Sequence, residues 1–411
     1  MGVTTAYYLL ETGHTVTLVD RATELAAEGS HANAGILHAG HAEPWNTPAA
    51  VRQLARSLVR ADSALQVHPG RLPALAGWGM RFLWHCRCSS HDAVTEANTR
   101  LAAWSLTETA ALRRATGIAF DGAQHGSLRI FRDRASLEQA RAAAAEVEAL
   151  GVRARALTPA AVVEQEPALA DIEGELTGGI HYVDDAQGDA AAFTRALGEV
   201  VRARGAALRL GASVERLEGD TNGVTGVVTD AGTIRGERCV LANGVDAPGL
   251  ARGLGVAVPV EPCKGYSATL ALDAIDAAPH TPVIDDARQV VISRLGSRLR
   301  VTGMAELAGY DRRIRPAAIE QILTDGLANY PRLAGRVDRN AAQPWACLRP
   351  VSADGAPLLG ATRVPGLFVN TGAGHLGWTF AAGAGRLVAE AVTGRTASLA
   401  LPRVDPRRFA R

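Results

Sequence analysis

The first twenty residues constrain the fold of this 411-residue chain more than any other stretch. Apolar side chains recur with helical spacing over residues 2–12, Gly13 stands where a helix C-cap glycine is expected, and a short strand ends at Asp20. A helix, a strand and a terminal acid form the second half of a dinucleotide-binding βαβ unit, in which the acid binds ribose hydroxyls. Gly2 fits the third glycine of its Gly-x-Gly-x-x-Gly turn. We therefore expect a nucleotide-binding domain whose first strand and first two glycines precede Met1.

This half-motif has a simpler explanation, because any short amphipathic helix followed by a strand could imitate it. Two later segments favour a bound nucleotide. The stretch "EGSHANAGILHAG" places Ser30, Asn33 and Gly35 in a loop of small side chains suited to a phosphate or a flat ring. In "NTGAGHLGWT", Gly374 and Gly377 lie between a strand and a helix whose N-terminus could face the partly negative edge of a flavin. A glycine-rich turn that serves only packing remains the alternative there.

Strand and helix patterns recur in three blocks of the chain, separated by a mostly helical stretch and by a strand-rich one. This pattern predicts an α/β fold in which one nucleotide-binding domain is interrupted twice by an α+β substrate domain. The nucleotide-binding domain is predicted to comprise residues 1–70, 183–250 and 345–411, and the substrate domain residues 71–182 and 251–344.

Charge and hydropathy exclude several functional classes. The 43 basic and 42 acidic residues are too evenly balanced to indicate a nucleic-acid partner. No apolar run approaches the roughly 18 residues of a membrane-spanning helix, and the N-terminus does not read as a secretory signal. The five scattered cysteines do not form a disulfide framework. We expect a cytoplasmic protein that is at most peripheral to the inner membrane.

Two local clusters raise further possibilities. The stretch "HCRCSSH" brings His85, Cys86, Cys88 and His91 together, but Cys-x-Cys is not a usual zinc spacing, so we expect no metal site. The stretch "PALAGWGMRFLWHCR" could form an interfacial helix that reaches a membrane quinone pool. Aromatic residues at helical spacing more often belong to a core, which is the alternative for this stretch.

Seven segments in the same order, spread over essentially the whole chain, resemble the small, FAD-carrying subunits of the bacterial D-amino acid dehydrogenases, within the D-amino acid oxidase and glycine oxidase superfamily. They are "GVTTAYYLLETGHTVTLVDR", "SHANAGILHAG", "PWNTPA", "PCKGYSATL", "RVTGMAELAGYD", "CLRPVSADGAPLLG" and "NTGAGHLGWTFAAGAGRLVAEAVTGR". The resemblance implies a glutathione-reductase-type FAD-binding domain, here without its first strand, interleaved with the α+β substrate domain. It also implies oxidative deamination of D-amino acids, typically D-alanine, to 2-oxo acids and ammonia, with a quinone or another respiratory carrier as electron acceptor.

The resemblance further implies which residues hold FAD. Gly2 and Asp20 would bind the ADP half, the loop after Ser30 would follow the pyrophosphate and ribityl chain, and the segment from Gly374 to Thr379 would cap the flavin. The full cofactor-binding set is Gly2, Asp20, Arg21, Ser30, Asn33, Ala34, Gly35, Val214, Gly244, Gly374, His375, Leu376, Gly377 and Thr379.

The resemblance also implies four candidate catalytic residues. Arg349 matches the arginine that holds the substrate carboxylate across the superfamily, unless it pairs with a structural acid such as Asp354. Tyr266 and Tyr310 could each hydrogen-bond the substrate, although most tyrosines only pack at an interface. Lys264, the only lysine of the chain, could favour a reduced flavin anion or could simply face solvent.

Two other functions stay open at this point. One is oxidation of glycine, sarcosine or D-hydroxyproline on the same fold. The other is a non-catalytic flavoprotein-like scaffold. Reduction of bound flavin by a panel of amines separates all three.

Overall fold

The computed structural model describes residues 1–47, 65–220, 222–272 and 278–410. Its α-helices are α1 (Gly2–Glu11), α2 (Leu72–Trp84), α3 (Cys88–Thr116), α4 (Arg134–Glu148), α5 (Pro159–Gln165), α6 (Ala190–Ala203), α7 (Ala247–Arg252), α8 (Pro316–Leu327), α9 (Pro331–Ala334) and α10 (Ala381–Thr393). Its strands are β1 (Thr17–Asp20), β2 (Ile36–Leu37), β3 (Leu65–Val67), β4 (Ser127–Phe131), β5 (Ala154–Leu157), β6 (Gly178–Tyr182), β7 (Ala186–Gln187), β8 (Ala207–Leu210), β9 (Val214–Asp220), β10 (Gly223–Thr229), β11 (Gly232–Arg235), β12 (Cys239–Leu241), β13 (Val260–Ala271), β14 (Val283–Asp285), β15 (Val290–Leu295), β16 (Arg298–Leu307), β17 (Gln343–Ser352), β18 (Leu358–Ala361) and β19 (Leu367–Thr371).

The segments predicted to bind the nucleotide contain two small sheets with parallel strand pairs. β1 pairs in parallel with β8, and β12 pairs in parallel with β19, which is flanked by antiparallel β18. Helix α1 packs against α10 and α6, so the helix and strand predicted for the first twenty residues are confirmed. Strands β9, β10 and β11 form a separate antiparallel sheet.

Two glycines in α10 allow its close contact with neighbouring helices. A Cβ atom built at Gly383 would lie 2.9 Å from the Cβ atom of Ser105 on α3, and one built at Gly385 would lie 2.6 Å from Oγ1 of Thr4 on α1. Larger residues at these two positions would therefore push the helices apart. The backbone N–H of Gly383 also donates a 2.9 Å hydrogen bond to Oγ of Ser105.

A large mixed sheet forms the other half, with the strand order β17-β13-β16-β15-β14-β4-β6-β5 and with β3 added to β16. Helix α8 covers one face because its apolar residues recur at positions 318, 322, 323 and 327, and they pack on fully buried strand residues such as Ile292 and Val301. Strand β3 lies within the predicted nucleotide-binding segment 1–70 but pairs with β16 of the large sheet. Strand β17 spans the predicted boundary at residue 345 and pairs with β13. The domain limits stay a prediction.

Within the described residues, no helix combines the length and the apolar character needed to cross a membrane.

Candidate active site

A cavity of about 2090 Å³ lies between the small sheets and the large sheet. Most of the residues singled out in the sequence line it. Those residues are Gly2, Asp20, Arg21, Ser30, Asn33, Ala34, Gly35, Val214, Gly244, Tyr266, Arg349, Gly374, His375 and Gly377. Four others, Leu376, Thr379, Lys264 and Tyr310, do not line it. The fold therefore brings together residues that are up to 375 positions apart in the chain.

At one end of the cavity, the carboxylate of Asp20 is fixed where β1 ends. Its Oδ1 atom accepts a 2.9 Å hydrogen bond from the backbone N–H of Ala22, and burial raises the pKa of Asp20. The neighbouring Arg21 points to two acids, with Nη2 lying 2.6 Å from Glu28 and 2.9 Å from Asp246. This end therefore presents a fixed carboxylate acceptor beside a neutralised arginine.

The loop after Ser30 folds back on itself through an Asn33 side chain that accepts a 3.0 Å hydrogen bond from the N–H of Gly35. Gly35 has a φ of +73°, and a Cβ atom there would lie 2.9 Å from Leu295, so both conformation and space favour glycine. Thr379, which does not line the cavity, stabilises the segment that follows this loop, because its Oγ1 accepts a hydrogen bond of 3.2 Å from the N–H of His38.

Four buried polar atoms of the cavity wall have no hydrogen-bond partner among the described residues. They are Nδ1 of His38, Oγ of Ser267, Nε1 of Trp345 and Nε1 of Trp378. Buried polar groups are rarely left without partners, so these atoms indicate a polar ligand. At Gly244 and Gly374 the backbone itself is open to a ligand, since each residue has a positive φ and no atom lies within 4 Å of a built Cβ. A ligand with ring carbonyls, hydroxyls and phosphates, such as FAD, fits this set of groups and this volume.

Arg349, on β17, projects into the cavity without a carboxylate partner among the described residues. Its Nη1 donates a 3.0 Å hydrogen bond to the carbonyl of Met304, and its Cζ lies 5.8 Å from the centre of a Trp45 ring. A Cβ built at Gly265 would lie 2.3 Å from Nη2, so the guanidinium lies directly over that glycine. A planar arginine held in this way can bind a carboxylate through two parallel hydrogen bonds.

The alternative that Arg349 pairs with Asp354 is wrong. Asp354 instead accepts hydrogen bonds of 2.7 and 2.9 Å from the guanidinium of Arg408. Arg349 is therefore left available to an external anion.

Tyr266 and Lys264 meet at a single carboxylate. The Tyr266 hydroxyl donates to Oε2 of Glu306 at 3.1 Å and accepts from Nε of Arg315 at 3.2 Å, while Nζ of Lys264 lies 3.0 Å from the same Oε2. Lys264 is fully buried, so the alternative that it faces solvent is wrong. Tyr266 borders the cavity, but its side chain packs among the apolar residues under α8 and its hydroxyl is bound within the protein.

Tyr310 lies outside the cavity wall, and about half of it is exposed. Its hydroxyl donates a 2.8 Å hydrogen bond to the carbonyl of Val245. The structure therefore does not bring Tyr310 together with Arg349.

Three histidines at the cavity wall include two that the sequence analysis did not select. The rings of His38, His41 and His375 lie 6.0 to 6.2 Å apart, and His375 stacks on Trp45 at 5.4 Å. Burial lowers the pKa of His38 to about 3 and holds that of His375 well below its ordinary value, so both are neutral near pH 7. The three histidines within "SHANAGILHAGH" are a sequence signal that could have identified His38 and His41.

Nδ1 of His41 lies 2.8 Å from Oε2 of Glu43. Burial alone would raise the pKa of Glu43, but the nearby His41 lowers it to about 2. Glu43 is therefore ionised near pH 7, which leaves an acid beside an imidazole in the cavity wall.

The cysteine and histidine cluster near residue 88 has separate partners. His85 contacts Ser90 at 2.9 Å, the thiol of Cys86 donates to the carbonyl of Phe82, and His91 lies 3.2 Å from the carbonyl of Asn46. Across the described ranges, no three His, Cys, Asp or Glu side chains are arranged to hold a metal ion.

Comparison with known proteins gives a consistent result. The model of the family described as DAO, FAD dependent oxidoreductase, matches residues 1–391. A D-amino acid dehydrogenase of Paramagnetospirillum magneticum is 43% identical over 100% of this chain and 96% of its own, and one of a Methylobacterium species is 39% identical over 100% and 97%. Among solved structures, glycine oxidase from Geobacillus kaustophilus superimposes with a TM-score of 0.75 at 22% identity, covering 99% of this chain and 96% of that one.

Proposed function

This chain belongs to the DAO family of FAD-dependent oxidoreductases, and on that premise we propose that it oxidises D-amino acids to 2-oxo acids and ammonia. Full-length relatives named D-amino acid dehydrogenase support this substrate class. The observation that carries the proposal is Arg349, a guanidinium in the cavity wall without a carboxylate partner among the described residues. A free amino acid supplies the missing carboxylate.

Bound FAD supplies the two-electron acceptor for the hydride that leaves the substrate α-carbon. The residues of the chain bind and orient the substrate. Arg349 binds its carboxylate at two points, which fixes the direction of the α C–H bond. His38 and His375 are neutral, so they add no positive charge against the substrate amine.

The electron acceptor is proposed to be a quinone reached at a membrane surface. Helix α2 supports this proposal because one side of it exposes large apolar side chains next to Arg81 and Arg87. The exposed apolar residues are Leu72 (45% exposed), Met80 (68%), Leu83 (46%) and Trp84 (61%). The sequence from residue 63 to residue 91 contains no acidic residue, so this face complements an anionic lipid surface.

Flavin absorbance tests the proposed reaction. The FAD-loaded protein is mixed without oxygen with D-alanine, D-leucine, their L-enantiomers, glycine and sarcosine. We expect bleaching by the D-amino acids alone. Faster bleaching by glycine or sarcosine would assign the enzyme to another amine, and a colourless protein that gains no flavin spectrum would support the non-catalytic scaffold.

A further inference from the structure

Beside Arg349, the cavity wall is formed by three aromatic side chains, Trp45, Trp78 and Phe82. The rings of Trp78 and Phe82 stack with their centres 5.0 Å apart, and Trp45 packs against the buried pair Phe82 and Cys86. Trp45 also reaches the guanidinium, whose Cζ lies 5.8 Å from the centre of its ring. An aromatic surface therefore begins where the proposed carboxylate site ends.

Hydrogen bonds to the backbone hold this aromatic wall in place. Nε1 of Trp78 donates a 3.1 Å hydrogen bond to the carbonyl of Val351, two residues after Arg349 on β17. The buried amide of Asn46 donates to the carbonyls of Phe82 and Ala353 at 3.1 and 3.0 Å. Helix α2 is thus fixed to the strand that carries Arg349, and the spacing between wall and guanidinium is set by the fold.

The wall has little polarity to offer a ligand. The indole N–H of Trp78 is already bound to Val351, and the residues that pack beside it, Leu307 and Cys263, are buried and apolar in character. His375, which stacks on Trp45, is uncharged because burial lowers its pKa. Against the rings of Trp78 and Phe82, a polar or charged side chain would lose its water without gaining a partner from them, whereas an apolar one would gain contact.

Resting on the proposed function, we propose that Trp45, Trp78 and Phe82 form the pocket for the substrate side chain and select D-amino acids with large apolar side chains. Arg349 binds the carboxylate common to all amino acids, and the aromatic wall discriminates among their side chains. The same three residues reject polar side chains of equal size.

Rates of flavin reduction in the FAD-loaded enzyme test this assignment with the nearly isosteric pair D-leucine and D-asparagine, and with D-alanine. We expect kcat/KM for D-leucine to exceed that for D-asparagine by about 100-fold and that for D-alanine by about 10-fold, in line with the discrimination of apolar pockets. Values within threefold of one another would overturn the assignment. Failure of every D-amino acid to reduce the flavin would instead overturn the proposed function, and the assignment with it.

The variant Phe82→Ala should lower the D-leucine to D-alanine ratio of kcat/KM about 10-fold while retaining the flavin spectrum, and Phe82→Leu should lower it less. If Phe82→Ala does not fold, the milder Phe82→Leu decides the question. Phe131→Leu is the matched control, because Phe131 is also buried but does not line the cavity. An unchanged ratio in Phe82→Leu, or an equal change in Phe131→Leu, would contradict the role of the wall.

Discussion

Nζ of Lys264 lies 3.0 Å from Oε2 of Glu306, and both side chains are buried. The same carboxylate accepts a hydrogen bond from the hydroxyl of Tyr266 and forms an ion pair with Arg315. The only lysine of the chain therefore stabilises the acid that holds a tyrosine of the cavity wall. Lys264 itself does not line the cavity, so we expect it to act there only through Glu306 and Tyr266.

Replacing Lys264 by Met should leave the buried Glu306 without one of its cations. Removing one partner of a buried ion pair costs about 3 to 5 kcal/mol, and we expect a loss of that size in the free energy of unfolding measured by urea denaturation. The double variant Lys264→Met, Glu306→Gln should recover part of the loss. Arg202→Met, which breaks an exposed pair with Glu199, should cost less than about 1 kcal/mol. Equal losses in the two single variants would contradict the buried pair.

The ion pair between Lys264 and Glu306 could not be predicted from the sequence. The cofactor-binding residues could be predicted from the sequence because glycines, strand ends and loops of small residues are local signals. Most of the predicted residues do line the cavity. Glu306 faces Lys264 only through the pairing of β13 with β16, where the register shifts between Lys264 and Tyr266. That register depends on contacts between segments about 40 residues apart, which no local pattern specifies.

Helix α2 shows the same limit. From the sequence, all of its aromatic residues were predicted to lie together, either at a membrane interface or in the core. In the structure Trp78 and Phe82, four residues apart, face the cavity, whereas Met80 and Trp84 are exposed. Helical spacing could separate the two groups, but which of them faces the protein depends on where β17 lies.

Stability should depend on pH through Asp185, a fully buried carboxyl that accepts hydrogen bonds from Ser127 and Ala39. Burial raises the pKa of Asp185 from 3.8 to about 7. Between about pH 4 and about pH 7 the folded state therefore keeps a proton on Asp185 that the unfolded state has lost. Its contribution to stability is therefore present at low pH and is lost as the pH rises towards 7, by at most about 4 kcal/mol.

The variant Asp185→Asn, which stays neutral, should gain stability relative to the wild type as the pH is raised from 5 to 8. Melting temperatures across that range measure the difference. Asp184→Asn is the control, because Arg153 lowers the pKa of Asp184 and its effect should be flat above pH 5. A flat profile for Asp185→Asn as well would show that Asp185 is ionised throughout.

Gly374 should be required for FAD binding rather than for folding alone. Gly374 and Gly394 both have a positive φ, +54° and +68°, with no atom within 4 Å of a built Cβ, but only Gly374 lines the cavity. Alanine at either position should cost a similar amount of stability, about 1 kcal/mol. Only Gly374→Ala should weaken FAD binding, by about 10-fold or more in a flavin fluorescence titration. Equal FAD affinities in the two variants would remove Gly374 from the cofactor site.

The exposed face of α2 should bind anionic membranes. Flotation with vesicles that contain phosphatidylglycerol should retain the wild-type protein, and Met80→Glu should reduce that retention about 10-fold because it places a charge on the apolar face. Thr107→Glu adds the same charge to the exposed side of α3 and should have little effect. Retention that is unchanged in Met80→Glu, or is equal with uncharged vesicles, would exclude this face as the contact.

The central claim is that Arg349 binds the carboxylate of an amino acid substrate. Stopped-flow flavin reduction by a D-amino acid in Arg349→Ala measures this most directly, with Arg349→Lys for comparison and the exposed Arg100→Gln as control. Losing one partner of a desolvated charge pair costs about 2 to 5 kcal/mol, so kcat/KM should fall about 30-fold or more in Arg349→Ala, while FAD stays bound. Arg349→Lys should fall between that variant and the wild type. Kinetics of Arg349→Ala within threefold of the wild type would contradict the account.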